Sequence, residues 1–178
     1  SGINVNFGID GVSQNVGGGQ GNDTLTNIEN AIGSAHADVF KGDNNKSNTF
    51  NGGITNLANP NSEHTGDEND TVDYSSLTGA NDSIIVDLSN TSSANVDVTL
   101  ASVAQGSDTL INIENVIGTS GDDTFTGNSD SNSLNAGEGD DTFFVKEAAI
   151  SGESDILVGG NNTSIGDTVD FSLVSDNS

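Results

Sequence analysis

The chain has 178 residues, enough for one or two compact units, and carries 27 acidic against 3 basic side chains, a formal net charge of −24. This excess excludes a nucleic-acid-binding protein, which needs a basic surface, and argues against binding to an anionic membrane. The absence of cysteine excludes disulfide bonds and thiolate metal sites. Such acidity indicates either a disordered segment or a fold completed by cations, and the regular spacing of apolar residues favours the second.

The first half of the chain contains one long motif and several irregular stretches. Residues 20–33 read QGNDTLTNIENAIG, and residues 18–26 (GGQGNDTLT) form a nine-residue unit. A poorer unit, GSAHADVFK, follows at 33–41, then an irregular stretch at 42–53 and an insertion at about 54–66. His36 in the poorer unit replaces a glycine and puts the turn before Asp38 in doubt.

The second half repeats this arrangement. Residues 105–118 read QGSDTLINIENVIG, DTVDYS at 70–75 recurs as DTVDFS at 167–172, and INVNF at 3–7 matches IIVDL at 84–88. Matches of this length predict two diverged tandem copies, about 1–81 and 82–178, with an extra segment at about 145–160 in the second.

Three nine-residue units follow one another in the second half: GTSGDDTFT at 118–126, GNSDSNSLN at 127–135 and AGEGDDTFF at 136–144. Each unit reads as a six-residue turn followed by a three-residue strand whose middle residue points inward. Those middle residues, Phe125, Leu134 and Phe143, form a core only if the units stack, two per coil, at about 4.8 Å. The prediction is an all-β fold, a right-handed parallel β-roll or β-helix solenoid built of two related tandem halves.

Stacked coils bring acidic turns together on one edge. Units one coil apart share that edge, so Asp123 is expected beside Asp141. Ca²⁺ takes six to eight oxygen ligands at about 2.3–2.6 Å, a number that two turns supply and one does not. Without a cation the facing carboxylates repel each other, so folding is predicted to depend on calcium.

The units GGQGNDTLT, GTSGDDTFT and AGEGDDTFF resemble the nonapeptide GGxGxDxUx of RTX (repeats-in-toxin) proteins, and the wider motif looks like a hemolysin-type calcium-binding region. The resemblance implies a parallel β-roll, several Ca²⁺ ions between adjacent turns, and type I secretion followed by folding outside the cell. Carried over by position, it implies carboxylate ligands from Asp123 and Asp141. It also implies backbone ligands from the same two turns: Gly118, Ser120, Gly121, Ala136, Glu138 and Gly139. Asn132 and Asp130 depart from the pattern, so their turn is expected to bind weakly or not at all.

Further aspartates are weaker metal candidates, with ordinary solvated turn aspartates as the alternative. Asp23 and Asp108 each follow Gly-x but precede a long strand, and insertions interrupt the register around Asp38, Asp70, Asp155 and Asp167. Glu29 and Glu114, in Asn-Ile-Glu-Asn, are expected to face outward or to brace a loop. No nucleophile elbow, phosphate loop or His-Glu-x-x-His motif occurs, so the chain is not expected to be an enzyme.

The two ends of the chain complement each other. The stretch 74–88 has 15 residues, whereas its later counterpart begins at residue 171 and has 8, and adding residues 1–7 restores 15. The chain therefore corresponds to one period of an endless array, which predicts identical units joined or stacked head to tail.

Two functions follow from these patterns. The first is a calcium-binding structural repeat of an extracellular or cell-surface fibre, adhesin or S-layer-like protein, with no membrane insertion. The alternative is a non-catalytic export and folding module of a type I-secreted enzyme or toxin. Contact with cell-surface or matrix glycans is a further expectation, for which Tyr74 and Phe171 are the candidate exposed aromatics.

Overall fold

Every element of the part of the chain that the structure describes is a strand. The structure is a computed structural model and describes residues 1–19, 21–43, 46–53, 69–77, 82–89, 96–100, 107–128, 130–146, 154–162 and 164–174. The predicted insertion at 54–66 lies outside these ranges. Nowhere within them is there a helix long and apolar enough to cross a membrane.

The strands are short, mostly of three residues. Residues 1–81 contain β1 (Asn4–Asn6), β2 (Ser13–Asn15), β3 (Asn22–Thr24), β4 (Asn30–Ile32), β5 (Val39–Lys41), β6 (Thr49–Asn51) and β7 (Thr71–Asp73). Residues 82–178 contain β8 (Ile84–Asp87), β9 (Val96–Leu100), β10 (Ser107–Ile111), β11 (Asn115–Ile117), β12 (Thr124–Thr126), β13 (Ser133–Glu138), β14 (Thr142–Phe144), β15 (Ile156–Asn161) and β16 (Thr168–Asp170).

From β4 to β8 and again from β10 to β16, successive strands alternate between two sheets, so each pair of strands makes one coil there, whereas β2 and β3 form a third, two-stranded sheet. One sheet has the order β1-β5-β7-β11-β13-β15 and the other the order β16-β14-β12-β8-β9-β10-β6-β4. In the nonapeptide region β12 pairs in parallel with β14, Thr124 opposite Thr142, and β11 pairs in parallel with β13, Asn115 opposite Ser133. The offset is two nonapeptides on both sides, which confirms the predicted coil and is consistent with a β-roll.

The core is a double row of inward side chains between the sheets. The rings of Phe125 and Phe143 stack with centroids 5.5 Å apart and planes 18° apart. Leu134 lies on the other sheet, in register with Val116 before it and Leu157 after it. The inward residue of each nonapeptide is therefore buried, as predicted, while its two neighbours are half-buried.

The expectation of an entirely parallel roll is wrong in two places. β9 pairs antiparallel with both β8 and β10, and β2 pairs antiparallel with β3. The unit at 18–26 thus contributes to a hairpin and not to a turn followed by a parallel strand. The physical reason is its surroundings: residues 9–17 directly before it do not follow the nonapeptide pattern, and its backbone hydrogen-bonds to the strand that they contain.

Stacking of the inward ring should account for much of the stability of the nonapeptide region. We expect Phe125→Ala to lower the free energy of unfolding by about 3–5 kcal/mol, the cost of removing a buried phenyl ring. Ile85→Ala, on the half-exposed outer face of β8, should cost less than about 1 kcal/mol. Urea denaturation in millimolar calcium measures both variants, and equal losses would contradict the stacked core as the source of stability.

Candidate metal centre

Carboxylates just before the strands form a ladder along one edge of the solenoid. The backbone N–H of Ile84 donates to Asp123 Oδ1 (2.7 Å), and that of Asp123 donates to Asp141 Oδ1 (2.7 Å). The N–H of Asp141 donates in turn to Asp167 Oδ1 (3.1 Å). We call this the first ladder. Each turn thus uses the carboxylate of the next coil to satisfy a backbone donor, which confirms that Asp123 and Asp141 lie in adjacent turns.

A second ladder runs along the other sheet. The N–H of Ile3 donates to Asp38 Oδ1 (2.6 Å), and that of Asp38 donates to Asp70 Oδ1 (2.7 Å). The N–H of Asp70 then donates to Glu114 Oε2 (2.9 Å). Further along, the N–H of Asn132 donates to Asp155 Oδ1 (3.0 Å). Asp38, Asp70, Asp155 and Asp167, which the sequence marked only as weak candidates, therefore all lie on ladders.

Glu114 was not predicted to belong to this arrangement. It is buried, and besides binding Asp70 N–H its backbone carbonyl accepts a hydrogen bond from Asn132 Nδ2 (3.2 Å). The expectation of an outward-facing Glu114 is wrong, although the role of loop brace is right. Its counterpart Glu29 has an exposed side chain that forms an ion pair with Lys46 (3.5 Å). The signal that could have found Glu114 is its place immediately before a strand, which every ladder carboxylate shares.

We call the acidic residues of the two ladders rungs. Asp123 is bound by its own turn in the same way as Asp38, which accepts the N–H and the hydroxyl of Ser34, whereas Asp141 is not. Thr119 donates its N–H to Asp123 Oδ2 (2.7 Å) and its hydroxyl to Asp123 Oδ1 (2.9 Å). In the next turn the position of Thr119 is taken by Gly137, which has no hydroxyl. Asp141 Oδ2 is buried and has no hydrogen-bond partner. A buried carboxylate oxygen without a donor is costly, and a bound cation removes that cost.

Backbone oxygens crowd two glycines of the same two turns. A Cβ placed on Gly118 would overlap both Asp123 Oδ2 and the carbonyl oxygen of Ala136, so these two oxygens are neighbours. A Cβ on Gly139 would overlap the carbonyl oxygen of Gly121. Only glycine fits where oxygens crowd this closely. Ser120 and Glu138, the remaining predicted backbone ligands, lie in the same two turns.

The electrostatics show charge that the protein does not balance. Burial raises the pKa of Asp123 to about 7, and the charge of Asp141 adds to that rise. Burial also raises the pKa of Asp141 to about 6, with further contributions from Asp167 and the neighbouring acidic residues. Within the described residues the lysine ion pairs involve Asp73 (3.0 Å) and Glu29 (3.5 Å), neither of which is a rung.

Two other predicted ligands have different surroundings. Asp108 is buried, and its oxygens accept hydrogen bonds from Asn48 N–H (2.8 Å) and from the hydroxyl of Tyr74 (2.8 Å). Burial raises the pKa of Asp108 to about 6 and that of Tyr74 well above its ordinary value. Tyr74 is completely buried, so its predicted role as an exposed glycan contact is wrong. Asp23, the counterpart of Asp108, is exposed and lies opposite Gln14 in the β2–β3 hairpin.

The donor set fits Ca²⁺ better than a metal that requires several side-chain ligands. No group of three or more His, Cys, Asp or Glu side chains converges within the described ranges. Two carboxylates supplemented by carbonyl oxygens of adjacent turns are hard oxygen ligands of the kind Ca²⁺ prefers. Asp123 and Asp141 would hold the ion together with the carbonyls of Ala136 and Gly121, and the ion would supply the missing positive charge.

Comparison with protein families agrees with this geometry. Residues 113–145 match the family model described as RTX calcium-binding nonapeptide repeat (4 copies). RTX nonapeptide repeats bind Ca²⁺ ions at multiple sites, so the segment is a calcium-binding repeat module and Ca²⁺ is its cofactor. No curated protein matches the chain.

Alanine at the first position of a nonapeptide should be more destabilising in the calcium-binding turn than in the turn of the next unit. We expect Gly118→Ala to lower the free energy of unfolding by about 2 kcal/mol or more and to weaken calcium binding, because its methyl group displaces Asp123 Oδ2. Gly127→Ala occupies the same position in the next unit, where the nearest atom, Asn132 Oδ1, is 3.0 Å away and can move. Gly127→Ala should therefore lower the free energy of unfolding by distinctly less than Gly118→Ala. Urea denaturation with and without calcium measures both variants, and a reversed order would contradict the site.

Acidification from about pH 7 to about pH 4 should stabilise the calcium-free chain. The pKa values of Asp123 and Asp141, about 7 and about 6, lie above the value of about 3.9 for an unfolded aspartate. The folded state therefore binds more protons, and the free energy of unfolding falls as pH rises from about 4 to about 7. In EGTA the urea midpoint should increase on acidification, and calcium should flatten that dependence by replacing the protons. A midpoint that increases with pH in EGTA would contradict this.

Proposed function

We propose that this chain is a non-catalytic, calcium-stabilised structural repeat of an extracellular fibre, adhesin or S-layer-like protein. The observation that carries the proposal is the buried pair Asp123 and Asp141, in which one carboxylate oxygen has no donor. Such a pair destabilises the folded chain until a divalent ion bridges it, so calcium acts as a structural switch. The buried carboxylates of the ladders satisfy backbone N–H groups, which is a structural role.

The same repeat supports an extracellular location. RTX repeat proteins are typically secreted by type I systems. Calcium sites of extracellular modules bind with dissociation constants of about 10⁻⁴–10⁻³ M. Such sites stay empty where calcium is scarce, so the chain can remain unfolded during export, and they fill outside the cell, where the chain then folds. A net charge of −24 also favours the extended, unfolded chain until calcium is present.

Two tandem halves are part of the proposal, and equivalent backbone details support them. Asn27 and Asn112, at the same place in the two Asn-Ile-Glu-Asn motifs, have positive φ values of 53° and 51°. A Cβ on Gly52 would overlap Asp70 Oδ2, just as a Cβ on Gly159 would overlap Asp167 Oδ2. Details of this kind recur when a unit is duplicated as a whole, and a duplicated solenoid unit is typical of a structural array.

The alternative, an export and folding module of a secreted enzyme, shares the calcium dependence. It differs in one respect: a module beside a catalytic domain needs no second copy of itself. Head-to-tail association between copies therefore separates the two functions, and the sequence of the whole gene separates them independently, since many copies of the unit favour a fibre.

Calcium should convert the chain from an unfolded to a β-rich state, with Asp141 as a key ligand. Asp141→Asn keeps an Oδ1 acceptor for the Asp123 N–H but replaces the unpartnered oxygen by an NH₂ group, so we expect the calcium midpoint to rise at least about tenfold. Asp130→Asn removes the same charge from an exposed turn residue and should leave the midpoint nearly unchanged. Calcium titration followed by circular dichroism measures both. An identical spectrum and melting temperature in EGTA and in millimolar calcium would overturn the proposal.

A further inference from the structure

The C-terminal end of the solenoid exposes an apolar surface. β15 and β16 are the last strands of their sheets and pair on one side each, with β13 and β14. Large apolar side chains are exposed on and around these two strands: Ile156, Val158, Ile165, Val169, Phe171, Leu173 and Val174. An end of this kind exposes both strand hydrogen-bonding groups and apolar area, and stable solenoids cover it.

The same sequence occurs in the middle of the molecule, where it is buried. Tyr74 is 0% exposed and its counterpart Phe171 is 63% exposed, although both begin the same turn, closed by Leu77 N–H to Tyr74 O (2.9 Å) and by Val174 N–H to Phe171 O (3.0 Å). Val72 is likewise 0% exposed, whereas its counterpart Val169 is 43% exposed. The difference between the two copies is therefore what lies next to them.

In the middle of the molecule the covering element is β11. It pairs in parallel with β7, Thr71 opposite Asn115 and Asp73 opposite Ile117. Tyr74 N–H donates to Ile117 O (2.8 Å), and Asn115 N–H donates to Asp70 O (2.9 Å). At the C-terminal end, β16 corresponds to β7, but the described residues offer no strand in the place of β11.

The strand that corresponds to β11 lies at the other end of the molecule. β4 belongs to NIENAIG, as β11 belongs to NIENVIG, and it terminates the eight-stranded sheet opposite to β16. Thr49 N–H donates to Glu29 O (2.9 Å) and Gly33 N–H to Asn51 O (2.7 Å), so residues 29 and 33 face β6. Alternation along a strand then turns the backbone groups of Asn30 and Ile32 to the open side, and the Ile32 side chain is 74% exposed.

A second pair of segments has the same relationship. In the middle, β6 is covered by β10, with Thr49 opposite Thr109 and Phe50 opposite Leu110. Asn112 Nδ2 also donates to Gly53 O (2.8 Å) across this contact. By sequence, β15 with its Gly159-Gly160 corresponds to β6, and residues 24–26 correspond to residues 109–111. Residues 24–26, which correspond to the strand that covers β6, thus again lie at the N-terminal end, away from β15.

We propose that the C-terminal end of one copy binds the N-terminal end of a second copy of this chain, with β16 beside β4 and β15 beside residues 24–26. The register is that of the internal contact: Thr168 opposite Asn30, Val169 opposite Ala31 and Asp170 opposite Ile32. The interface rests on the proposed function, because its strands must first be ordered by calcium. Both ends of each copy are used and the contact is heterologous, so association continues into a filament and does not close at a dimer.

Glu29 is a hydrogen-bond acceptor in the proposed contact. Glu114, its counterpart, accepts the N–H of Asp70 at 2.9 Å in the internal contact. Glu29 of the second copy would accept the N–H of Asp167 in the same way and extend the first ladder across the interface. The exposed Glu29 side chain, which is not a rung within its own chain, would thus become one in the first ladder of the neighbouring copy.

A cysteine cross-link tests the register directly, because the chain contains no cysteine. Thr168→Cys combined with Asn30→Cys places one thiol at each end, and neighbouring strand residues lie within disulfide distance. Thr71→Cys combined with Asn115→Cys is the matched control, since these residues are partners within the chain. Under mild oxidation in millimolar calcium, we expect a ladder of covalent oligomers from the first variant and a monomer with an internal disulfide from the second.

Circular dichroism on the same samples separates the two proposals. If the control closes its disulfide and both variants fold with calcium, but the Thr168 and Asn30 variant stays monomeric, the docking is overturned and the proposed function stands. If calcium changes neither spectrum, the proposed function fails and the docking fails with it. The single variant Thr168→Cys faces Asn30, which has no thiol, so it should stay covalently monomeric under the same oxidation, and efficient disulfide dimers from it would contradict the register.

A second pair of variants tests the apolar surface without new bonds. Phe171→Asp replaces an exposed ring in the isolated copy but would leave an unpaired charge in the interface, where its counterpart Tyr74 is completely buried. We expect it to raise the concentration needed for assembly in calcium at least about a hundredfold. Ile85→Asp makes the same kind of change at a half-exposed position in the middle of the solenoid and should leave assembly nearly unchanged. Sedimentation and electron microscopy measure both, and equal effects would overturn the proposal.

Discussion

The hydrogen bond from a backbone N–H to the carboxylate one coil further on is the interaction on which this structure depends. Three-residue strands give each coil few ladder bonds of its own, and the six-residue turns between them would otherwise leave N–H donors unsatisfied. Asp123, Asp141 and Asp167 satisfy these donors along one edge, and Asp38, Asp70 and Glu114 do so along the other. The same stacking brings like charges within one strand spacing of each other. The fold therefore needs the carboxylates as acceptors and is destabilised by their charge, and Ca²⁺ resolves that conflict without removing the acceptors.

How much the sequence predicts depends on whether a segment has an equivalent segment two nonapeptides away. From 118 to 144 it does, and the turn, the inward residue and the coil offset all follow from the nine-residue period. At 18–26 the same motif occurs without a preceding unit, and the segment forms a hairpin with β2 instead. A local motif specifies the backbone that a segment can adopt, whereas stacking decides which backbone it does adopt. This is why Asp23 and Asp108 have matching sequences and different surroundings.

The residues that sequence reasoning missed have a common physical cause. Glu114 and Asn48 occupy ladder positions immediately before β11 and β6, but neither is an aspartate in a Gly-rich turn. Glu114 shows that a longer carboxylate can accept the N–H of the neighbouring coil at such a position. Asn48 donates its own N–H to Asp108, but its Oδ1 has no hydrogen-bond partner among the described residues, so it marks the position without acting as an acceptor. Glu114 and Asn132 follow one another on the second ladder, where the amide contributes no charge and donates to the Glu114 carbonyl. An amide at such a position thus adds no charge to the ladder.

Ladder continuity would also connect calcium binding to the proposed association between copies. In a stacked array the stability of each unit depends on its neighbours, so the terminal coil is the least stable one. Asp167 lies on that coil, and its charge adds to the burial that raises the pKa of Asp141, which the calcium site needs in its ionised form. A second copy that orders the Asp167 turn, as proposed above, would also order the carboxylates next to it. Whatever stabilises the folded terminal coil must strengthen calcium binding there, and by thermodynamic linkage calcium strengthens association by the same factor. With the proposed docking, calcium concentration would control elongation of the solenoid through the same set of hydrogen bonds.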